Sequence, residues 1–334
     1  FPYTTLFRSG SGPYLFGPLV PSRHISTSQP MLLDKAQPTG FQGVREDVWN
    51  IGIGVGEVET PLPDHARAGR GEAYVRAREA VTEHQRRLLQ PGVSMGGARP
   101  KSLMQIDGAS WVVKFSEGGE LDSPLIEHAS MQLARLCGIH TAETLALPLS
   151  QGHAVAIKRF DRQGEKRLHV VSAHVVLRAA GEVMGYPELA QLIRRLGHPD
   201  QVRAQQQELF RRMVFNILID NTDDHEKNHA LVRGADGFYA LSPAFDVLPA
   251  AQGLGYQQMR VGAMGHESSM ANALSQARAF GLTDVQAREI ASEISGQVAQ
   301  WKSVFKGLKV RDADMDLLAQ YVDGPLLSEQ RRLA

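Results

Sequence analysis

Several things are scarce in this chain, and each scarcity narrows the field. Its 334 residues include one cysteine, Cys137. No intrachain disulfide can form, and a reducing cytoplasm is the expected setting. Neither charge is in excess, since 36 Lys and Arg balance 36 Asp and Glu. Binding through the phosphate backbone of nucleic acid calls for a basic surplus, so direct nucleic-acid binding is disfavoured. No apolar run approaches the ~20 residues of a bilayer-spanning helix, and no membrane role is expected. Internal repeats are lacking as well. An initiating methionine is absent too, and FPYTTLFRS (residues 1–9) has no basic-then-apolar signal pattern. It reads as translated sequencing-adapter sequence and is set aside from fold reasoning.

What is present is a chain that is 43% hydrophobic and 22% charged, enough for a sizeable core in two domains or lobes. Residues 10–70, rich in Gly, Pro and Ser at their start, are expected to be disordered or a remnant segment. A helical pattern over 71–90 breaks at PGVSMGGARPK. SLMQIDGASWVVKFS reads as two strands about an Asp-Gly turn, and EHASMQLARLC as a helix stopped by Gly138. ETLALPL and HAVAIKRF form a second strand pair, so 94–160 is expected to be a small mixed sheet with one helix. Beyond it the pattern turns helical, at PELAQLIRRLG and over 201–220. Thr283 and Gln286 make a capping box, after which Val285, Ile290, Ile294, Val298 and Trp301 form an apolar stripe expected in the core. ADMDLLAQYV reads as a last helix. The outline is α+β, with a small sheet-rich N-lobe (71–165) and a larger helical C-lobe (166–330).

The stretch NILIDNTDDHEKNHALV follows an apolar helix directly with dense charge. Asp223 and Asn228 stand in D-x-x-x-x-N spacing, and Asp246 lies downstream in LSPAFDVLP. This set suits phosphoryl transfer: one carboxylate takes the proton of an attacking hydroxyl, while an Asn and a second carboxylate hold Mg²⁺. Asp and Asn after a helix also cap ordinary turns, and His225 alone reads as a structural hydrogen-bonding residue. Upstream, SMGGARPKS (94–102) is a glycine-rich turn whose backbone N–H groups at Gly96, Gly97 and Ala98, with Lys101, can cradle phosphate. It is not a Walker A motif. Lys114 alternates within a strand, where a lysine is ordinarily solvated. In kinases the strand lysine contacts nucleotide phosphates, and Glu127 on the next helix could orient it. Otherwise Glu127 is a dipole partner of its own helix.

GGARPK, VVKF, E…QLARLCGI, KRFDR, NTDDHEKNHA and LSPAFD, in that order, resemble the HipA family of bacterial serine/threonine kinases, toxins of toxin–antitoxin modules. The resemblance runs over about 91–306. It implies a two-lobed protein-kinase-like fold with ATP in the cleft, Asp223 as catalytic aspartate, Asn228 and Asp246 on Mg²⁺, and Lys114 on the phosphates. KRFDR would be the hinge, with Arg159 and Phe160 by the adenine and Asp161 near the ribose. Ser94 occupies the autophosphorylated position, whose modification silences the enzyme by expelling the phosphate loop. Asp224, His225 and Lys227 would support. A protein substrate such as an aminoacyl-tRNA synthetase, and a HipB-like antitoxin through which DNA is met only indirectly, are further implications. Asp246 is followed by Val-Leu-Pro, so no Phe-Gly switch is expected. Two other readings stand beside this one. One is a metal-dependent phosphohydrolase using Asp223, Asp224 and His225, and the other is a degenerate, non-catalytic HipA-like protein acting through its DNA-binding partner.

Overall fold

The computed structural model describes residues 101–333 except 117, 150 and 165. The readings of 1–9, 10–70, the 71–90 helix and the turn bearing Ser94, Gly96, Gly97 and Ala98 lie outside the described residues.

Strands β1 (Lys101–Ile106) and β2 (Ala109–Phe115) pair antiparallel about Asp107 and Gly108, whose φ values of 50° and 74° are both left-handed. A two-residue hairpin needs that geometry to match strand twist, which is why Asp-Gly marked it. No atom beyond its chain neighbours lies within 4 Å of where a Gly108 Cβ would sit, so backbone conformation alone is at stake. Gly108→Val should therefore lower stability by about 1–2 kcal/mol. In urea unfolding, the midpoint should fall at constant slope.

Helix α1 (Ser123–Leu136), with Pro124 in its first turn, ends before Gly138 at φ 73°. Strands β3 (Thr144–Pro148) and β4 (His153–Lys158) complete a sheet of order β1-β2-β4-β3. Every pairing in it is antiparallel, so the expected mixed sheet is corrected: hairpins join β1 to β2 and β3 to β4, and α1 carries the chain from β2 to the far edge strand β3, from which β4 returns antiparallel to β2. Alternation sends Trp111, Val113 and Phe115 into a small apolar cluster on one face. Val112 and Lys114 point the other way. On that face Val155, the partner of Lys114, packs with Leu125, Ile126 and Ala129 of α1. Lys114 is thus aimed at a helix rather than at water.

A short ribbon, β5 (Arg162–Gln163) and β6 (Lys166–Arg167), leads into the second lobe. There β7 (Val170–Ser172), β8 (Ala230–Arg233) and β9 (Tyr239–Leu241) form a three-stranded antiparallel sheet. Around it lie α2 (Ala173–Ala179), α3 (Tyr186–Leu196) and α4 (Val202–Leu218). Leu209, Phe210, Met213, Val214, Ile217 and Leu218 of α4 are all buried, which anchors the charged turn that follows. Then come α5 (Met270–Leu274), α6 (Asp284–Val298), α7 (Trp301–Gly307) and α8 (Asp312–Val322). The Thr283–Gln286 capping box is present. Val285 is 66% exposed, against expectation. The buried stripe of α6 runs through Ala287, Ile290, Ala291, Ile294 and Val298, and Val285 falls on the opposite side of the turn. A further helix, α9 (Pro325–Leu333), follows the one read as last, because Pro325 is well suited to open a new helix. Among the described residues, no helix is long and apolar enough to cross a membrane.

Candidate active site

The second-lobe sheet sets two loops side by side. The charged turn runs from the end of α4 into β8, and the Asp246 turn leaves β9; Ser242 N–H donates to Ala230 O at 2.8 Å where the two meet. Ala244 exchanges backbone hydrogen bonds with His140 and Ala142 beyond α1, each at 2.8 Å, tying the Asp246 turn to the first lobe. A small internal cavity is lined by Arg212, Asn216, Asp224, Asn228, His229 and Phe245, so it borders on both turns.

Lys114 is 3% exposed, and its Nζ donates to Glu127 Oε1 at 2.7 Å and to Asp246 Oδ1 at 2.5 Å. It is not a solvated strand residue, and Glu127, equally buried, serves as more than a dipole partner of α1. Burial alone would lower the Lys114 pKa, but the Asp246 and Glu127 carboxylates outweigh it and hold the ammonium above its ordinary range. Burial works against Asp246 too, yet Lys114, and more weakly Lys101, keep its carboxyl well below the usual range. Lys101 lies directly across the β1–β2 ladder from Lys114. Like charges opposed in a sheet repel, and the Asp246 carboxylate offsets both.

Asp246 adopts φ 61°, a left-handed conformation unfavourable for aspartate, of the kind that clusters at active sites. Its side chain remains 30% exposed, so the carboxylate faces Lys114 on one side and solvent on the other. Phe245, just before it, packs on Phe160 with ring centroids 5.5 Å apart. The aromatic neighbour of this aspartate thus precedes it, while buried Val247 follows.

In the charged turn, Asp223 and Lys227 are exposed, His225 is half-buried and Asn228 is buried. Among the described residues, no hydrogen bond within the protein takes up the Asn228 side-chain amide, and Asp246 presents an open carboxylate edge. One amide oxygen and one ionised carboxylate fit a hard cation that keeps several waters, as Mg²⁺ does. Asp224 is directed inward, its Oδ2 accepting from His229 Nε2–H at 2.8 Å and from the Tyr186 hydroxyl. The phosphohydrolase triad is therefore not assembled. Asp224 is committed to the interior, and among the described residues no group of three or more His, Cys, Asp or Glu could hold a metal ion.

In the KRFDR segment, Arg159 donates from Nε and Nη2 to the two oxygens of Asp161 at 2.8 and 2.7 Å, and Arg162 joins them. Asp161 is buried, and these hydrogen bonds outweigh burial to hold its carboxyl below the usual range. Arg159 and Phe160 line an open groove of about 700 Å³ with His140, Glu143, Lys158 and Pro243.

Besides His229, four residues that hold the turn were not marked by the sequence reading. Tyr186 meets Asp224 from α3, and His174 Nδ1–H donates to Glu226 Oε1 at 2.7 Å. Buried Arg212 reaches Ser242 O at 2.8 Å, below the β8–β9 junction. Asp220, at φ 59°, accepts the N–H groups of Gln252 and Gly253 at 3.1 Å. Arg212 alone had a signal, being a charge inside the apolar pattern of α4.

A two-lobed arrangement of this kind, with a clasped strand lysine, defines a protein-kinase-like fold. HipA of Shewanella oneidensis MR-1, solved with HipB and its operator DNA, aligns at TM-score 0.55 with 18% identity, over 73% of this chain and 65% of that one. The Helicobacter pylori proinflammatory kinase CtkA aligns at TM-score 0.54 with 16% identity, over 73% and 93%. Residues 93–302 match the HipA-like C-terminal domain, and the chain belongs to that family. The "Putative kinase Y4dM" of Sinorhizobium fredii is 32% identical over 153 residues, 42% of this chain and 37% of that protein. A Haemophilus influenzae protein named in the same way is 25% identical over 182 residues, 47% and 52%. The chain thus spans about half, or less, of the length of these two relatives.

Proposed function

We propose that the chain is an ATP- and Mg²⁺-dependent protein serine/threonine kinase of the HipA type. The observation that carries the reading is the buried Lys114 held between Glu127 of α1 and Asp246 of the second lobe. An ion pair drawn from one strand, one helix and a loop of the other lobe is needed to place a nucleotide, not to fill a core. The names of the relatives and the family membership support the same reading.

Lys114 and Lys101 face the phosphates, with the backbone of Gly96, Gly97 and Ala98. Arg159 and Phe160 meet the adenine, and Asp161 holds Arg159 and Arg162 in place beside the ribose. Asn228 and Asp246 would hold Mg²⁺, which when bound neutralises phosphate charge. Asp223, exposed and ungripped by the core, accepts the proton of the acceptor hydroxyl as its oxygen bonds to the γ-phosphorus and ADP departs. Lys227 and His225 support the turn. Autophosphorylation at Ser94 silences the enzyme. The physiological role is that of a toxin whose target is a protein such as an aminoacyl-tRNA synthetase. The partner is a HipB-like antitoxin, by likeness to the Shewanella complex, with DNA reached only through it and the cytoplasm as its setting.

Incubation with γ-labelled ATP and Mg²⁺ tests this. The parent should carry label on Ser94, and Ser94→Ala and Asp223→Ala should carry none. Label retained by Asp223→Ala removes that residue as base. Nucleotide binding without transfer in the parent favours the non-catalytic reading.

A further inference from the structure

The charged turn contains its own spacing twice. Asp223 and Asn228 are each followed at once by a buried residue, Asp224 and His229, so the second pair repeats the five-residue interval one position on. The repeat is closed by a bond: His229 Nε2–H donates to Asp224 Oδ2 at 2.8 Å, and the Tyr186 hydroxyl donates to the same oxygen. Asp224 is 2% exposed and Tyr186 0%. The network continues inward. Asn216 Nδ2 donates to the Tyr186 hydroxyl at 3.4 Å, and Asn221 Nδ2 donates to Asn216 Oδ1 at 3.0 Å. From the opposite side, Glu226 is held by the His174 side chain at 2.7 Å, and its carbonyl accepts the His174 N–H at 3.1 Å.

This arrangement has a geometric consequence. Neighbouring Cα atoms are fixed about 3.8 Å apart by a planar peptide. A bond that pins residue 224 to residue 229 therefore also constrains the separation of 223 and 228. An apolar plug could anchor the turn equally well, but directional hydrogen bonds onto the Asp224 carboxylate specify its geometry, with His229 engaged through Nε2 while its buried Nδ1 has no partner among the described residues. Burial opposes ionisation of Asp224, yet His229 and Tyr186 outweigh it and keep the carboxyl below its usual range.

We propose that Asp224, His229 and Tyr186 form a staple that sets the distance between the proton acceptor Asp223 and the metal-side Asn228, which makes His229 and Tyr186 positioning residues. This rests on the kinase reading of the turn. It assigns work to the second member of each doublet, Asp-Asp and Asn-His, while the first does the chemistry.

The test uses the full chain as parent, His229→Leu, His229→Gln and Tyr186→Phe, with two measurements. The first is amide hydrogen exchange over 221–229, with β2 as internal control. The second is the ATP dependence of autophosphorylation with γ-labelled ATP and Mg²⁺. His229→Leu should speed exchange in the turn while leaving β2 unchanged. It should lower the maximal transfer rate about 10- to 100-fold, as a displaced catalytic group does. Half-saturating ATP should move less than about 2-fold, because Lys114, Phe160 and the second metal-side residue, Asp246, lie outside the stapled turn. His229→Gln, which restores a donor at similar reach, should recover most of both losses, and Tyr186→Phe should fall between. Unchanged turn exchange in folded His229→Leu, or equal losses in the Leu and Gln variants, overturns the staple. Should His229→Leu not fold, Tyr186→Phe decides, because it removes one hydroxyl only, and parental exchange and rate in that variant overturn the proposal. A parent that transfers no phosphate sinks the kinase reading, while turn exchange still decides the staple.

Discussion

Lys114→Met is expected to lower the unfolding free energy by about 3–5 kcal/mol, the usual effect of removing one partner of a buried ion pair. It should also abolish phosphoryl transfer. The two losses have different origins. Stability falls because Glu127, 1% exposed, keeps its carboxylate buried without the ammonium that lies 2.7 Å away in the parent. Activity falls because nothing else on β2 can reach both Asp246 and a phosphate. The double variant Lys114→Met/Glu127→Leu should therefore regain most of the stability and none of the activity, since apolar replacement of a whole buried pair is close to neutral. Urea unfolding beside a transfer assay on the three proteins checks this. A double variant no more stable than Lys114→Met would show that the loss does not come from separating Glu127 from its ammonium.

The same cluster shapes the dependence of stability on pH. Asp246 has a depressed pKa in the folded protein, so its share is present above about pH 5 and is lost as pH falls through the folded value. Lys114 has a raised one, so its share is present below about pH 9 and is lost as pH climbs past about 10.4. The parent should hold a plateau between these edges. Its advantage over Lys114→Met should shrink at both.

How much of this was legible in the sequence depends on how local each cause is. The first hairpin was, because Asp107 and Gly108 are the residues a two-residue turn demands, and α6 was, because Thr283 and Gln286 cap it through their own side chains. The helical pattern over 201–220 announced α4. The doublets in NTDDHEKNHA were visible as letters, but which member faces outward was not. Val285 was misplaced because apolar character alone does not separate a helix's first turn from its buried stripe. The contacts that build the site cross long stretches of chain: Lys114 to Asp246, Tyr186 to Asp224, Asp220 to Gln252 and Gly253. Tyr186 sits in YPELA, whose periodicity says only that one face is buried. Nothing local distinguishes a tyrosine that fills space from one whose hydroxyl holds a carboxylate.

Asp223 and Asp224 are chain neighbours of identical chemistry, and substituting them should give opposite results. Asp223 is exposed and among the described residues takes part in no network, so Asp223→Asn should change stability by no more than about 0.5 kcal/mol, as at most surface sites. It should lower transfer about 10²- to 10⁴-fold, the range for loss of a general base. Asp224→Ala should lower stability by roughly 3–5 kcal/mol, because it strands His229 Nε2–H and the Tyr186 hydroxyl in the interior and removes one side of a buried pair. Denaturant unfolding of both variants, beside transfer at saturating ATP, separates the two roles. A stable, inactive Asp224→Ala with a destabilised Asp223→Asn would invert the assignment of outward and inward members. Equal destabilisation would mean that the turn is held as a whole and that neither doublet is divided. The division is expected because strand β8 begins one residue after His229, so the turn has no length to spare: every residue facing the nucleotide must be followed by one that fastens it.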